Sequence, residues 1–420
     1  MTGHSGGENV DKNQSEMFAS KHFTTNFILL KKNNMARRKI NMGMVGGGPG
    51  SFIGIVHYNA AVLDGQIQLV CGAFSSDPGK SRQTGEQYYL DPARAYGSFT
   101  EMIEKERNLP EGVRMDFLSI VTPNHLHYEP ARMALENGFH VVSDKPLTLD
   151  SDQARKLVKL VEKTGLLFAV THPYVAYPLV QEAKLMIRNG MLGNIRKVVV
   201  EYTQGWLTNP LENTDNKQAG WRCDPARSGA CGSMADIGTH ALNMAEFVTG
   251  LRVTELCADL TTFVPGRKLD DDGNLLVKYN NGAKGIIFVT QIAAGEENDI
   301  CFRIWGEKGG MEWHQHDPNR LILKMLDEPL RIIRAGHSEY LSDIAKYNTR
   351  LPFGHPEGLI EAFANIYRNV ATCIQHRLEG KEPPALANDF PNVYDGLRGM
   401  LFQDTVVESS RKQQWVKFHE

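Results

Sequence analysis

The feature that most constrains the fold is a glycine-rich turn that begins at Gly46. A short apolar segment, residues 40–45, runs directly into this turn, and a second apolar segment begins at Phe52. This order predicts a strand, a tight turn and a helix, the first unit of a parallel sheet with crossover helices. Gly46 and Gly48 have the spacing of a dinucleotide-binding turn, in which the first glycine makes the turn and the second lets the main chain approach a pyrophosphate.

The residues that complete the turn fit the same interpretation. Ser51 takes the place of the third small residue, where a helix packs closely against the strand. Pro49 suits the first turn of a helix whose free N–H groups can bind phosphate. A purely structural turn is the alternative, because a glycine cluster alone is weak evidence.

Alternating strands and helices follow the glycine turn. Strands are expected at residues 67–74, 117–121 and 140–143, with a helix at 129–136. This alternation predicts a parallel, doubly wound sheet. A further helix should begin after its cap, Ser151, and end at Gly165, and we expect it to link two domains.

From about residue 195 the pattern changes to long β-rich segments. They span residues 195–206, 256–264, 275–292 and 300–313, and Asn280-Asn281-Gly282 predicts a hairpin turn inside the third. Helices are expected at residues 234–249 and 357–375. The predicted fold class is therefore α/β, with an N-terminal Rossmann doubly wound parallel sheet and a C-terminal α+β domain that has a large, mostly antiparallel sheet.

A chain of 420 residues exceeds the usual size of a single hydrophobic core, so two domains that share a cleft are expected. Residues 1–38 are polar and aperiodic, which predicts a disordered N-terminal tail, and Met35 has the position of a natural start. We assign the Rossmann domain to residues 39–168 and the α+β domain, for substrate binding and oligomerisation, to residues 169–420.

Composition narrows the classes of partner and location. A net charge of -3 spread along the chain argues against nucleic acid, and no apolar run reaches the roughly 18 residues of a membrane helix. Six cysteines without a CxxC pair favour reduced thiols and a cytoplasmic location. Arg37-Arg38 would suit an export signal only with an apolar segment after it, and a glycine turn follows instead.

Two short motifs follow the third and fourth predicted strands. Thr122-Pro123-Asn124 comes after the strand at 117–121, and Asp144-Lys145-Pro146 comes after the strand at 140–143. Both motifs lie at carboxyl ends of strands, where open α/β sheets bind ligands. An ordinary surface lysine beside a turn proline is the alternative for Lys145, and Pro146 restricts its direction in either case.

The end of the second strand decides between NAD and NADP. An acidic residue there binds the ribose hydroxyls of NAD, whereas an arginine accommodates the 2′-phosphate of NADP. Here the chain has Ser75 and Ser76, with Asp77 one position late and Arg82 a turn further on. NAD is therefore preferred, with NADP as the alternative.

A candidate general base lies in the segment 232–240. If Ser233 caps a helix there, Asp236 and His240 lie four residues apart on one face. A histidine oriented by a carboxylate could accept the proton that an alcohol loses as it is oxidised. A surface pair or a hydrogen-bonded core histidine is the alternative.

Further polar and aromatic residues suit contacts with a sugar ring. Trp221-Arg222 joins a stacking surface to a guanidinium, and a buried tryptophan beside a surface arginine is the alternative. His172, Tyr174 and His355 are further candidates. His4, His22, His314 and His316 show no companion pattern for a metal site, so no metal is expected.

Five motifs, taken in order, resemble the glucose-fructose oxidoreductase and inositol dehydrogenase family, Gfo/Idh/MocA. They are Gly46-x-Gly48, Thr122-Pro123-Asn124, Asp144-Lys145-Pro146, Trp221-Arg222 and Asp236-x-x-x-His240. The resemblance runs from about residue 39 to 417. Segments 73–78 and 354–358 resemble a subgroup of sugar or inositol dehydrogenase-like proteins. Asp144 stands where the family more commonly has a glutamate. Ser75 stands where an acidic residue is usual, and this second departure leaves the choice between NAD and NADP open.

The resemblance implies a set of site residues. Lys145, Asp236 and His240 would act together at the nicotinamide as the catalytic residues. The predicted cofactor contacts are Gly46, Gly48, Pro49, Ser51, Phe52, Ser75, Ser76, Arg82, Thr122, Pro123, Asn124, His127, Asp144 and Lys145. The predicted substrate contacts are Trp221, Arg222, Tyr174, His172 and His355.

The function that the resemblance implies is an NAD(P)-dependent dehydrogenase that oxidises a secondary ring hydroxyl of a sugar, glycoside or inositol. It also implies a homodimer or homotetramer. Two alternatives stay open: a redox-neutral, NAD-dependent enzyme that cleaves glycosides, and a non-catalytic regulator that senses dinucleotides. The combination of Lys145, Asp236 and His240 argues against the regulator, because a sensor needs no proton acceptor.

Overall fold

The computed structural model describes residues 38–418, so the predicted tail and the start at Met35 lie outside the described residues apart from Arg38. The strands are β1 Ile40–Gly46, β2 Ile67–Ala73, β3 Phe117–Val121, β4 His140–Asp144, β5 Phe168–Thr171, β6 Ile195–Gln204, β7 Val253–Thr261, β8 Asp272–Tyr279, β9 Lys284–Thr290, β10 Asn298–Gly306, β11 Gly309–His314, β12 Arg320–Met325, β13 Arg331–Arg334 and β14 Val416–Lys417. The α-helices are α1 Phe52–Leu63, α2 Pro78–Gln87, α3 Phe99–Glu106, α4 Tyr128–Glu136, α5 Ser151–Thr164, α6 Pro178–Arg188, α7 Lys217–Arg222, α8 Pro225–Ser228, α9 Thr239–Thr249, α10 Asp343–Tyr347, α11 Leu359–Leu378 and α12 Val393–Lys412.

The N-terminal sheet has five parallel strands in the order β2-β1-β3-β4-β5. The chain passes from β1 to β2 on one side and then returns to place β3 on the other side of β1. The carboxyl ends of β1 and β3 therefore lie where the direction of winding reverses, which is where doubly wound sheets bind ligands. This confirms the predicted Rossmann architecture.

The boundary between the two domains differs from the prediction in two respects. The predicted cut after residue 168 falls inside β5, which pairs with β4, so the parallel sheet extends to Thr171. Helix α5 lies between β4 and β5 and therefore does not link the domains. Near the end of the chain, α11 returns to the N-terminal core, where Phe363 and Tyr367 pack with Met42 and Phe117.

The second sheet has nine strands in the order β13-β12-β11-β10-β6-β9-β8-β7-β14. Its paired strands are antiparallel except for β6 and β9, which run parallel. The predicted hairpin at residues 280–282 joins β8 to β9, and Gly282 has the positive φ of 88° that this turn requires. Helices α6, α9 and α12 pack on one face of the sheet, as the α+β prediction requires.

The caps of two helices were predicted wrongly because a nearby carboxylate takes over each role. Asp150, and not Ser151, caps α5 and accepts a hydrogen bond from the Gln153 main chain at 2.8 Å. The Ser233 hydroxyl does not cap its own helix. It donates to Asp270 at 2.7 Å, and Asp270 also accepts from the Met234 main chain at 2.9 Å.

The predicted helix at residues 234–249 is not regular along its length. Its first part, Met234–Gly238, is a π-helix, and the α-helix α9 begins only at Thr239. A π-helical turn widens the helix locally and is frequent at functional sites. Within residues 38–418, each helix is too short or too polar to span a bilayer.

Candidate active site

The glycine turn is packed so tightly that side chains do not fit at two positions. A Cβ atom at Gly46 would lie 2.7 Å from the main-chain oxygen of Val121, and one at Gly48 would lie 2.6 Å from that of Phe74. The turn after β1 thus packs closely against the ends of both β2 and β3. Its exposed outer side faces the carboxyl edge of the sheet.

The rest of the turn corrects two details of the prediction. Pro49 lies ahead of the helix, because α1 begins at Phe52 with Ser51 as its cap, whose hydroxyl accepts from the Gly54 main chain at 3.2 Å. The small residue that allows close packing is Gly54 instead of Ser51, since a Cβ at Gly54 would lie 2.3 Å from the Gly47 Cα. The Phe52 side chain is exposed.

This turn fits the pyrophosphate of a dinucleotide. The first main-chain N–H groups of a helix have no partner within the helix and favour an anion. Lys217, the first residue of α7, adds a positive charge, because its Nζ lies 3.9 Å from the position that a Gly50 Cβ would take. The sequence analysis missed Lys217, which lies 167 residues beyond Gly50 and belongs to no motif.

The end of β2 has no free carboxylate within the predicted motif. Asp77 caps α2 and accepts from the main chains of Gly79 and Lys80 at 2.8 and 3.0 Å. Those hydrogen bonds, led by the one from Lys80, lower the pKa of Asp77. The Ser75 hydroxyl accepts from the Asp77 main chain at 3.1 Å, and Arg82 is exposed.

Two residues that follow β3, Asn124 and His127, are buried and hydrogen-bond to the protein's own main chain. The Asn124 amide donates to the Ser228 main-chain oxygen at 3.1 Å. His127 is fully buried, with ring nitrogens 2.7 Å from the main-chain oxygens of Pro146 and Thr122. His127 therefore ties the turn after β3 to the turn after β4, and its predicted contact with the cofactor is not supported. Burial lowers its pKa, so the neutral ring donates to one oxygen at a time.

Lys145 and Asp236 form the centre of the candidate site. The Lys145 ammonium donates to the Asp236 carboxylate at 2.8 Å and also to its main-chain oxygen. At the base of the lysine, the Asp144 carboxylate accepts from the Lys145 main chain at 2.9 Å and from the Thr171 hydroxyl at 2.8 Å. These contacts hold a lysine from the parallel sheet against the π-helix of the second domain.

The charge of Asp236 is set by its neighbours. Its second carboxylate oxygen accepts from Arg222 at 3.2 Å and from Gln291 at 2.8 Å. Burial raises the pKa of Asp236, but the positive charges of Lys145 and Arg222 outweigh burial and hold the pKa well below its ordinary value. Gln291, just after β9, carries no sequence motif and was not predicted.

His240 is paired with a second histidine and not with Asp236. Its Nδ1 lies 3.1 Å from the Nδ1 of His172, and within residues 38–418 no hydrogen bond joins it to Asp236. Burial and the nearby charge of Lys145 hold the pKa of His240 well below its ordinary value and lower that of His172 to about 3. Both rings are therefore neutral near pH 7.

Tyr174, in the short turn after β5, and polar side chains of the nine-stranded sheet continue from this pair. The Tyr174 ring packs edge-on against His240, with ring centroids 4.9 Å apart, and its hydroxyl lies 2.6 Å from that of Tyr202. Asn298 accepts from Tyr202 at 3.0 Å and from Gln204 at 2.6 Å. We call Tyr174, Tyr202, Gln204 and Asn298 the polar wall; all but Tyr174 escaped the sequence analysis because strand residues show no motif.

The remaining predicted substrate residues fall in different places. Trp221 and Arg222 lie in α7, and the guanidinium is 4.2 Å from the centre of the Trp221 ring and 5.8 Å from that of Trp206. His355 lies in an exposed turn ahead of α11, where its main-chain N–H donates to the Pro352 main-chain oxygen at 3.3 Å. Its predicted contact with substrate is not supported.

Ligand-type side chains lie beside His314, one of the histidines for which the sequence shows no companion pattern for a metal site. Asp299 and Cys301 on β10 lie beside His314 on β11, and the ligand atoms of these three residues lie within 4.8 Å of one another. The companions lie on a neighbouring strand, where no short sequence pattern could show them. His4 and His22 lie outside the described residues.

Comparisons with known proteins agree with this architecture. Residues 40–172 match the model described as oxidoreductase family, NAD-binding Rossmann fold, and residues 180–312 match the GFO/IDH/MocA C-terminal domain. The uncharacterized oxidoreductase YfiI of Bacillus subtilis (strain 168) is 32% identical over 93% of this chain and 100% of its own length.

Two further relatives have names that state an activity. The structure of an inositol dehydrogenase homolog complexed with NAD+, from Azotobacter vinelandii, has a TM-score of 0.86 at 33% identity and covers 91% of this chain and 98% of its own. Levoglucosan dehydrogenase of Pseudarthrobacter phenanthrenivorans is 24% identical over 90% of this chain and 98% of its length. With both halves matched and a full-length relative at 32% identity, the chain belongs to the GFO/IDH/MocA oxidoreductase family, with an NAD-binding Rossmann fold.

Proposed function

We propose that the protein is an NAD-dependent dehydrogenase that oxidises a secondary ring hydroxyl of a cyclitol or a related sugar. The observation that carries this proposal is the meeting of Lys145 with Asp236 beside the neutral pair His240 and His172. This group lies between the carboxyl edge of the parallel sheet and the polar wall. Lys145 can thus donate a hydrogen bond to a substrate oxygen at the same place where a neutral histidine can accept the hydroxyl proton.

Oxidation of an alcohol removes a hydride from carbon and a proton from oxygen. Bound NAD+ supplies the hydride acceptor at its nicotinamide. The Lys145 ammonium donates a hydrogen bond to the substrate oxygen and stabilises the negative charge that develops there. Asp236 orients the ammonium, because its carboxylate accepts a hydrogen bond from the Lys145 Nζ at 2.8 Å.

His240 is the proton acceptor in this proposal, and its contact with His172 selects the correct tautomer. A hydrogen bond between two Nδ1 atoms, 3.1 Å apart, requires one of them to carry the proton and the other to accept it. When His240 carries the proton on Nδ1, its Nε2 has a free lone pair and takes the hydroxyl proton. The low pKa of His240 keeps its ring neutral near pH 7, so that Nε2 can accept a proton.

The substrate class rests on the side chains around the site. The polar wall offers hydroxyl and amide groups, and Arg222 with Trp206 and Trp221 offers a stacking surface and a guanidinium, which together suit a polyhydroxylated ring. The Azotobacter homolog, 32% identical, also has a structure complexed with NADH and myo-inositol. We therefore place inositols ahead of glycosides as substrates.

Cofactor preference is the finer part of the proposal. Asp77 is engaged as a helix cap, so its carboxylate is held away from the ribose, and Ser75 and Ser76 take the usual discriminating positions. We expect NAD to be favoured over NADP only modestly, because no carboxylate is aimed to repel a 2′-phosphate. Strict dependence on NADP in a fluorescence titration would contradict this expectation and indicate that Arg82 reaches the site.

Two variants test the proposed mechanism after a screen of inositols and glucosides with both cofactors. At saturating substrate and cofactor, His240→Ala should lower kcat roughly 10²- to 10⁴-fold, the usual contribution of a general base. Lys145→Met should cost a similar factor, because the developing oxyanion loses its donor. Neither change should abolish NADH binding.

Matched controls separate these roles from general damage. Lys156→Met changes an exposed lysine on α5, and His355→Ala removes the exposed histidine of the predicted substrate set. Both should keep normal turnover. Near-normal turnover of either His240→Ala or Lys145→Met would overturn the assignment, and reduced cofactor that is never released would favour a redox-neutral reaction instead.

A further inference from the structure

A second cluster of ligand-type side chains lies on the nine-stranded sheet, away from Lys145 and His240. Asp299 and Cys301 alternate along β10 with Ile300 and Phe302, which are fully buried in the core. Because side chains alternate between the two faces of a strand, Asp299 and Cys301 point to the opposite, outer face. His314 lies directly across from Cys301 in the antiparallel register of β10 and β11.

We propose that Asp299, Cys301, His314 and His316 form a binding site for a divalent transition metal of the zinc type. The Nδ1 atoms of His314 and His316 each lie 2.9 Å from the same Asp299 oxygen, Oδ2. The ligand atoms of Asp299, Cys301 and His314 lie within 4.8 Å of one another. One oxygen, one sulfur and one imidazole nitrogen thus converge on one small volume, and His316 contacts this group through Asp299.

The dimensions are close to those of a tetrahedral site. Bonds of about 2.0–2.3 Å from a zinc ion place its ligand atoms roughly 3.3–3.8 Å apart. Small rotations of the side chains would bring the observed separations into this range. The mixed set of nitrogen, sulfur and oxygen suits Zn²⁺ or Co²⁺, whereas Mg²⁺ and Ca²⁺ require oxygen ligands.

The surroundings of His314 provide independent support. Its Nε2 lies 3.1 Å from the Glu312 carboxylate, whose other oxygen accepts from Lys324 at 2.7 Å. A metal-binding histidine typically donates its second ring N–H to a carboxylate, which fixes the tautomer and aims the first nitrogen at the metal. Without a metal, Nδ1 of His314 donates to Asp299, and this hydrogen bond raises the pKa of His314 to about 10, so a bound ion would replace the Nδ1 proton.

The strand framework also prepares the site. Asp299 is two residues before Cys301 on β10, and His314 ends the neighbouring strand, so the sheet register fixes three ligands. The Asp299 carboxylate accepts from the His316 main chain at 3.0 Å, which ties the turn after β11 to β10. Cys301 is buried, whereas the His316 side chain is 63% exposed, so an ion would enter from the His316 side.

The test uses the full chain without an affinity tag, stripped of metal by a chelator and then titrated with Co²⁺ and Zn²⁺. We expect one ion per chain, with a dissociation constant for Zn²⁺ below about 1 μM and a rise in melting temperature on binding. Bound Co²⁺ should show the intense visible bands of tetrahedral coordination and a near-ultraviolet band from its bond to sulfur.

Variants assign the ligands. Cys301→Ser should remove the sulfur band, and His314→Ala should weaken Zn²⁺ binding at least 100-fold. Glu312→Gln should weaken it about 10- to 100-fold, as expected for the partner of a ligating histidine. Cys257→Ser, which changes a partly exposed thiol on β7, is the matched control and should leave both signals unchanged.

The metal titrations and the variants decide between a metal site and its absence. Binding of one Zn²⁺ that is lost on substitution at Cys301 and His314 supports the site, provided that circular dichroism shows folded variants. Absence of a Co²⁺–sulfur band, a dissociation constant above about 100 μM, or binding that survives both substitutions would overturn it. Glu312→Gln keeps the side chain's size, so the test remains decisive if His314→Ala fails to fold.

Discussion

His172 shows how a single residue can act through its neighbour. Its Nδ1 lies 3.1 Å from that of His240, and the two ring centroids are 5.0 Å apart in an edge-on arrangement. In the proposed mechanism His172 is a positioning residue: it accepts the His240 Nδ1 proton and so leaves His240 Nε2 free to receive a proton. His172 was predicted as a substrate contact, so this role is a revision of that hypothesis.

Two substitutions at His172 distinguish positioning from bulk packing. His172→Leu removes the acceptor and should lower kcat about 10- to 100-fold, because His240 loses its preferred tautomer. His172→Asn keeps an acceptor oxygen near the position of Nδ1 and should recover most of the activity. The measurement is kcat as a function of pH, with KM and NADH binding as controls. Equal losses in both variants would contradict the tautomer argument.

The residues of the candidate site differ in how far sequence could predict them. Lys145, Asp236 and His240 carry motifs, and their types match the chemistry. The role of Gln291 and the pairing of His172 with His240 became visible only in the structure, because these contacts to Asp236 and His240 span 55 and 68 residues of chain. The expected pairing of Asp236 with His240 was wrong, because the Lys145 ammonium is the stronger partner for a carboxylate.

At the scale of elements, the short helix α7 connects the two halves of the site. Its first residue, Lys217, approaches the glycine turn at Gly50, and its last residue, Arg222, donates to Asp236 at 3.2 Å. A helix that contacts the cofactor turn at one end and the catalytic group at the other can couple the binding of both ligands. Sequence reasoning singled out only the Trp221-Arg222 end of it.

Lys217 therefore offers a prediction about cofactor binding. Lys217→Ala should weaken NADH binding about fivefold, which corresponds to about 1 kcal/mol for a solvent-accessible contact between an ammonium and a phosphate. The loss should shrink at high salt, because an exposed charge pair is screened. Fluorescence titration at two salt concentrations measures it, and Lys268→Ala, an exposed lysine elsewhere, is the control. An unchanged dissociation constant would show that Lys217 does not face the pyrophosphate.

Long periodic elements were predicted well, and short or tertiary features were not. The first four strands of the parallel sheet and the hairpin at Gly282 follow from apolar runs and turn residues, whereas the four-residue β5 was not predicted. The edge strand β13 has four residues and β14 has two, too few to show a period. The cap by Asp270 comes from a loop 37 residues beyond Ser233, so no local pattern could reveal it.

At the scale of the whole molecule, apolar side chains that are exposed on the nine-stranded sheet within residues 38–418 predict self-association. Leu276, Trp305 and Ile332 lie exposed on its strands, although the sheet buries its other face beneath α6, α9 and α12. Exposed apolar residues on a large sheet commonly mark an interface between subunits. The homodimer or homotetramer implied by the sequence stays a prediction.

Light scattering at micromolar concentration tests this prediction directly. We expect a mass of two or four chains of 46.9 kDa each. Trp305→Glu places a charge among the exposed apolar side chains of the sheet and should shift the equilibrium towards the monomer, because an unpaired charge is costly to bury. Tyr89→Glu, at an exposed position on the N-terminal domain, is the control. A wild-type monomer would contradict the prediction.

Buried neutral histidines should make the stability of the whole molecule fall in mild acid. Burial lowers the pKa of His57 and His140 to about 4 and that of His172 to about 3, from an ordinary value of 6.5. Below pH 6.5 the unfolded chain binds protons at these positions while the native chain does not, so the free energy of unfolding decreases as pH falls. Above pH 6.5 both states are neutral there, and the stabilisation is fully present.

The size of this effect follows from the same linkage. Between pH 7.5 and 5.5 each of the three histidines should remove about 1.4 kcal/mol from the free energy of unfolding measured with urea, whereas His314, whose hydrogen bond to Asp299 raises its pKa to about 10, should add a similar amount. Carboxylates contribute little in this window, because their ordinary pKa values of about 4 lie below it. His57→Gln removes one titrating ring and should reduce the difference between the two pH values by about 1.4 kcal/mol. Equal stability at pH 7.5 and 5.5 would mean that the rings are not held neutral, and it would also weaken the assignment of neutral His172 as the partner of His240.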